Sequence, residues 1–259
     1  MALAIDLSGR VAIVTGGGRG VGRGISESLL DAGAEVVICG RNQPEILPEA
    51  GGRRALFTAA DVRELEQIEA VAAFALQRFG RIDVLVNNAG GAPAAEAATA
   101  SPRFHESILR LNLIAPLHLA QRANRTMQGQ ATGGVILSIS SVSASRPSPG
   151  TAAYGAAKAG IESLTRSLAV EWAPRVRVVC VAAGMVETEQ SQLHYGDAEG
   201  IAAVGATVPA GRMAQPRDIG DACVFLASPL AAYVSGTTLL VHGGGERPAF
   251  LSAARNTKP

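Results

Sequence analysis

Seven short β-branched runs, alternating with amphipathic stretches along most of the sequence, constrain this chain more than any other feature. Val11–Thr15, Val36–Cys39, Ala55–Thr58, Val84–Asn87, Val135–Ile139, Arg177–Val181 and Thr238–Val241 read as strands. They are mostly apolar and do not strictly alternate, as strands covered on both faces do. Helical periodicity fills Gly20–Ala32, Arg63–Phe79, Arg103–Met127, Ala152–Trp172 and Pro216–Ala227. Parallel strands need crossover connections, so strand and helix in alternation predict an α/β fold, one doubly wound parallel sheet of about seven strands. No linker, repeat or low-complexity block breaks the 259 residues, and a single domain over 1–259 is expected. Glu187 to Gly211 lacks strand character and holds Gly196, Gly200 and Gly205, which reads as an irregular, movable segment.

Composition removes several classes of function. With 47% apolar and 17% charged residues the chain can bury a core, which excludes disorder. No apolar run approaches the roughly 20 residues of a membrane helix, and the start MALAIDLSGR lacks a basic n-region, so a cytoplasmic protein is expected. A net charge of +1 gives no general attraction for nucleic acid. Cys39, Cys180 and Cys223 are too scattered for a disulfide framework or a metal-binding pair. His105, His118, His194 and His242 form no metal motif, so no metal site is expected and a small molecule remains the natural partner.

Directly after the first strand comes Thr15-Gly16-Gly17-Gly18-Arg19-Gly20-Val21-Gly22, opening into a helix. Unpaired amides at a helix start, reinforced by the macrodipole, bind anions, and glycines let the backbone approach them. Glycines alone also suit an ordinary turn. Their GxxxGxG spacing, however, resembles the fingerprint of the short-chain dehydrogenase/reductase family. Asn87-Asn88-Ala89-Gly90 after the fourth strand, Asp61-Val62 after the third, and Arg212, Gln215-Pro216 and Asp218-Ile219 before the last long helix follow in that family's order. The resemblance covers nearly the whole chain. It implies a Rossmann fold whose glycine-rich half, about residues 1–130, serves the cofactor, while about 131–259 serves catalysis and substrate. It places Gly16, Arg19, Gly20, Val21 and Gly22 at a dinucleotide pyrophosphate, Asp61 and Val62 at the adenine, and Asn88, Ala89 and Gly90 along the nicotinamide side.

Tyr154 and Lys158 stand one helical turn apart, so they share a face. A free phenol has a pKa near ~10, and an adjacent ammonium is expected to lower it toward acid/base duty. Such a pair is also ordinary on a helix surface, but of 23 basic residues only Lys158 and Lys258 are lysines. A compact ammonium reaches ribose hydroxyls and sits beside a phenol in ways a planar guanidinium does not. Ser141 precedes Tyr154 by 13 residues, which is the family's spacing for a serine that bonds the substrate oxygen. Ser138, Ser140 and Ser143 show that a serine-rich turn is the plainer alternative. Asn112 matches the asparagine completing the family's tetrad through a water relay. Pro116 lacks the N–H that would bond the Asn112 carbonyl, leaving that carbonyl free.

After the sixth strand the chain departs from the family, with Ala183 where relatives carry proline before Gly184. Gly184, Val186 and Thr188 keep the spacing for a nicotinamide contact, in a loop expected to be less rigid. Cofactor choice falls after the second strand, where an acid would favour NAD. That position is Gly40, followed by Arg41 and Asn42. A guanidinium there and Arg19 in the loop favour a 2′-phosphate, hence NADP, with NAD possible.

The sequence therefore reads as an NAD(P)-dependent oxidoreductase moving hydride between nicotinamide and a carbonyl or alcohol carbon of an apolar small molecule: a ketone, a steroid-like ring or a 3-oxoacyl thioester. A catalytically idle dinucleotide sensor or scaffold is the alternative, and turnover separates the two. The resemblance also implies a homotetramer, or failing that a dimer, assembled through the helices at Arg103–Met127 and Ala152–Trp172, whose outer faces are expected to present Ala123, Leu164, Leu168 and Trp172, with a second two-fold contact at the last strand.

Overall fold

A computed structural model describes residues 5–253. The first half runs β1 (Val11–Thr15), α1 (Gly20–Asp31), β2 (Glu35–Gly40), a two-residue hairpin of β3 (Glu49–Ala50) and β4 (Arg53–Arg54), β5 (Leu56–Ala59), α2 (Leu65–Phe79) and β6 (Val84–Asn87). There follow α3 (Pro102–Leu109), α4 (Ala115–Gly129), β7 (Gly134–Ser141), α5 (Ala152–Glu171) and β8 (Val176–Ala183). The chain closes with α6 (Gln192–Tyr195), α7 (Ala198–Thr207), α8 (Pro216–Ala227), β9 (Thr238–Val241) and α9 (Ala249–Ala253).

Seven strands form one sheet in the order β5-β2-β1-β6-β7-β8-β9, every neighbouring pair parallel. Because the chain winds outward from β1 and then returns to β6 on its other side, the crevice opens at the carboxyl ends of β1 and β6. The two faces feed two cores. Val14, Val86, Leu137 and Val181 pack with Leu29 of α1 and Ile219 and Cys223 of α8. Ile13, Leu85, Ile136 and Val178 pack with Ile68 of α2, Leu119 of α4 and Leu168 of α5. Among the described residues no helix is long and apolar enough to cross a membrane.

Three expectations need correction. The stretch Arg103–Met127 is not one regular helix: a wide π turn, Arg110–Ile114, separates α3 from α4, and the Ala115 amide bonds back to the Arg110 carbonyl. The segment Glu187 to Gly211 is not irregular, since it contains α6 and α7. Gly200 sits inside α7 because a methyl there would lie 2.1 Å from the Tyr195 carbonyl oxygen. Ala123 and Leu168 are buried in the chain's own core, and Leu164 and Trp172 pack against it, so these four do not make an apolar outer face.

Candidate functional site

The glycine loop is built against the end of β6. Thr15 Oγ1 donates to the Val86 carbonyl at 3.3 Å and accepts from the Asn88 and Ala89 amides at 3.0 and 2.9 Å. Asn88 Nδ2 donates to the Thr15 carbonyl at 2.9 Å. Gly16 and Gly20 have φ of 64° and 50°, in the left-handed region that favours glycine. A methyl at Gly22 would stand 2.2 Å from the Gly16 carbonyl oxygen, so the turn closes only around a bare backbone. Arg19 caps α1 in extended conformation without a side-chain bond to the helix. This bare turn leading into a helix start fits a pyrophosphate.

At the far side of the loop, β2 ends at Gly40 and leaves Arg41 and Asn42 exposed. The chain then folds back until the Pro44 ring lies 3.0 Å from where a Gly18 methyl would be, so the Arg41–Pro44 stretch borders the glycine loop. Asp61 is held by Arg63, which donates from its backbone amide at 3.0 Å and from Nε at 2.9 Å. The Arg63 hydrogen bond holds the Asp61 carboxyl down at about 2, with Arg41 adding to the effect. Val62 beside it is buried.

Four further side chains converge at the carboxyl ends of β6 and β7. Lys158 on α5 is 4% exposed and donates from Nζ to the Ile139 carbonyl at 2.7 Å. Its Nζ lies 5.3 Å from the centre of the Tyr154 ring. A methyl on Gly90 would meet Asn112 Oδ1 at 2.6 Å and Lys158 Nζ at 3.3 Å, which places both groups around that glycine. Asn112, fully buried in the wide turn, donates to the carbonyls of Gly91 and Ile108 and accepts from the Gly91 amide, at 3.0, 2.9 and 2.9 Å. Ser141 ends β7, accepts from the Ser143 amide at 3.2 Å, and faces the Tyr154 phenol. Beside Tyr154 lies a small hollow of about 10 Å³, lined by Ala92, Pro93, Ala95, Phe104 and Ile108 together with His105 and Thr151.

The loop expected to be less rigid at Ala183 is instead the end of a strand: β8 continues through Ala183, which pairs with Ser141 of β7 and Val241 of β9. This strand end is therefore fixed by pairing on both sides. Val186 bridges Ala214, and the Thr188 amide donates to Ser191 Oγ at 2.8 Å. Sequence reasoning missed Glu189, whose carboxylate accepts from the Gly20 amide at 3.0 Å. It also missed the ion pair of Arg146 with Glu246 at 2.9 Å, which ties the segment after β9 to the turn after Ser141. None of these three residues belongs to a motif.

A family model described as enoyl-(acyl carrier protein) reductase matches residues 16–246. The chain is 35% identical to 2-dehydro-3-deoxy-D-gluconate 5-dehydrogenase of Escherichia coli, over 93% of this chain and 97% of that protein. It is 37% identical to a 3-oxoacyl-(acyl-carrier-protein) reductase of Vibrio harveyi, over 93% and 98%. Aldohexose dehydrogenase of Thermoplasma acidophilum superposes with a TM-score of 0.86 at 30% identity, covering 99% of this chain and all of that one, 100%. The chain belongs to the short-chain dehydrogenase/reductase family. Like its relatives, this short-chain dehydrogenase/reductase is an NAD(P)-dependent oxidoreductase acting on CH–OH and C=O groups.

Electrostatics in this short-chain dehydrogenase/reductase run against the sequence expectation for Tyr154. Burial raises the phenol above its usual value and outweighs the opposing influence of Ser141. Lys158 spends its ammonium on the Ile139 carbonyl, and burial brings it down to about 8. A folded pKa below the unfolded one, near ~10.4 for lysine, means the buried ammonium costs stability at neutral pH. That cost fades as pH rises from about 8 toward the unfolded value. Lys158→Met is therefore expected to stabilise the dinucleotide-free protein at pH 7 by up to about 3 kcal/mol. Denaturant unfolding should show this gain shrinking by pH 10, and a pH-independent difference would contradict the assignment.

Proposed function

We propose that Tyr154 transfers the proton at the oxygen of a carbonyl or alcohol substrate, with Ser141, Lys158 and Asn112 arranged around it. The observation that carries this reading is the meeting of Asn112 and Lys158 around Gly90, with the Tyr154 ring 5.3 Å from the Lys158 ammonium and Ser141 facing its phenol. A bound nicotinamide would supply or accept the hydride. Tyr154, kept protonated by burial, is set to donate to a carbonyl oxygen in the reducing direction. The Ser141 hydroxyl stabilises charge developing on that oxygen. Lys158 keeps two N–H donors beyond the one given to the Ile139 carbonyl, and in this reading they serve the ribose hydroxyls and resupply the proton. The Asn112 side chain is committed to Gly91 and Ile108, so its part in a relay falls to its backbone carbonyl, while the side chain fixes the wide turn.

The cofactor-binding set in this reading is Gly16, Arg19, Gly20, Val21 and Gly22 at the pyrophosphate, Asp61 and Val62 at the adenine, Asn88, Ala89 and Gly90 along the nicotinamide side, and Gly184, Val186 and Thr188 at the carboxamide. Exposed Arg41 and Asn42 after Gly40, with Arg19 across the loop, support NADP over NAD. Arg41→Ala should lower kcat/KM for NADPH about tenfold, the value of one charged hydrogen-bonding partner, and leave NADH nearly unchanged. Adding Gly40→Asp should turn the preference toward NADH. A higher kcat/KM with NADH in the unaltered protein would contradict the role of Arg41.

For substrate, the mostly apolar side chains beside Tyr154, namely Ala92, Pro93, Ala95, Phe104 and Ile108, support an apolar carbonyl compound. The segment from Glu187 to Gly211 adds four acids, Glu187, Glu189, Asp197 and Glu199, and no lysine or arginine, which disfavours a small dianion. NADPH oxidation measured across ketones, quinones and 3-oxoacyl thioesters tests the reading; no turnover of any would return the chain to the sensor alternative. Assembly as a homotetramer is part of the same proposal. Exposed Leu239 and Leu240 on the edge strand β9, with exposed Phe225, Leu230 and Tyr233 in the segment leading into it, support a second copy there.

A further inference from the structure

We propose that Glu189 is a latch: its carboxylate sits on the anion-binding start of α1 and holds the segment before α6 against the glycine loop until a dinucleotide displaces it. The inference rests on the reading that this loop takes the pyrophosphate. Glu189 Oε1 accepts from the Gly20 amide at 3.0 Å, joining residues 169 apart in sequence. Gly20 is the first residue of the 12-residue helix α1, which has no acid in its first turn and no side-chain cap from Arg19. A carboxylate from elsewhere in the chain thus supplies the negative charge that this helix start attracts. Thr188 lies against the same glycine, 3.5 Å from the position of a Gly20 methyl.

The contact reaches the substrate side through short covalent and hydrogen-bonded links. Thr188 donates from its amide to Ser191 Oγ, and the Tyr195 amide donates to the Ser191 carbonyl, so Glu189 and α6 move together. Tyr195 lies within the fields of Arg146 and Glu246, at the turn that follows Ser141. A carboxylate and a pyrophosphate cannot share one helix start, since like charges there repel and compete for the same amide. Dinucleotide binding must therefore break the Glu189 bond and release the segment that carries Leu193, His194 and Tyr195. The consequence is a weakened apparent affinity for the dinucleotide.

The test is titration of NADPH and of NADH, without substrate, into the unaltered protein and into Glu189→Gln, Glu189→Ala and Glu187→Gln. Glu187 bonds Gln215 at 3.0 Å instead of the glycine loop and controls for loss of charge alone. The latch predicts about two- to tenfold tighter binding in Glu189→Ala, the worth of one exposed hydrogen bond, a smaller gain in Glu189→Gln and no change in Glu187→Gln. Hydrogen exchange across residues 187–196 of the dinucleotide-free protein should quicken in Glu189→Ala. Unchanged or weaker binding in Glu189→Ala, an equal gain in Glu187→Gln, or unchanged exchange would overturn the latch while leaving the loop's role intact. Failure of all four proteins to bind either dinucleotide would overturn the reading of the loop and the latch with it.

Discussion

Tyr154→Phe should lower kcat by about a thousandfold while leaving NADPH affinity within a small factor. The ring remains, so the packing over Lys158 at 5.3 Å is preserved and only the transferable proton is lost. General acid catalysis from one positioned group contributes about 10² to 10⁴ in rate. This phenol faces Ser141 beside the side chains of Phe104 and Ile108. Stopped-flow turnover with NADPH, paired with NADPH titration of the variant, separates the two quantities. Retained turnover would remove Tyr154 from the chemistry, and lost NADPH binding would show that the ring's hydroxyl serves the cofactor instead.

A larger effect on binding is expected from Gly22→Ala. The added methyl would stand 2.2 Å from the Gly16 carbonyl oxygen, 2.4 Å from Asn88 Nδ2 and 2.9 Å from the Gly16 carbonyl carbon. Two of those atoms are backbone and cannot swing away, so the turn itself must open, which costs about 1–3 kcal/mol of stability. Opening the turn also pulls Asn88 from the Thr15 carbonyl that it holds at 2.9 Å, disturbing the joint between the loop and β6. Dinucleotide affinity should fall more than about tenfold, because the amides no longer converge on the anion. Gly129→Ala supplies the comparison, since a methyl there meets nothing within 4 Å. It should leave both affinity and thermal midpoint nearly unchanged.

Much of the fold was readable because its signals are local. Strands such as Val84–Asn87 appear at their predicted bounds, since a strand covered on both faces announces itself by its apolar run. The glycine spacing and the Tyr154–Lys158 separation likewise encode geometry within a few residues. What could not be read depends on tertiary surroundings. The wide turn at Arg110–Ile114 has the same apolar period as a regular helix, and only the capture of Asn112 by Gly91, 21 residues away, shows why the register widens there. Gly200 reads as a helix breaker until the Tyr195 carbonyl is seen against it. The balance at Tyr154 was misjudged because a neighbouring ammonium is visible in sequence while the cost of burial is not. Ala123 and Leu168 were assigned to the wrong face because helical phase alone does not say which apolar side meets the sheet. Glu189 belongs to no motif, and its contact with Gly20 depends on how the segment after β8 crosses the crevice.

The most direct test of the account follows label from the cofactor. NADPH carrying deuterium at C4, in each of its two epimers, is supplied with the ketone or 3-oxoacyl thioester that the unaltered protein reduces fastest, and the product is analysed by mass spectrometry. The account predicts one deuterium on the new carbinol carbon from one epimer only, and no product above background from Tyr154→Phe. Label absent from that carbon, or equal product from the unaltered protein and Tyr154→Phe, would contradict it.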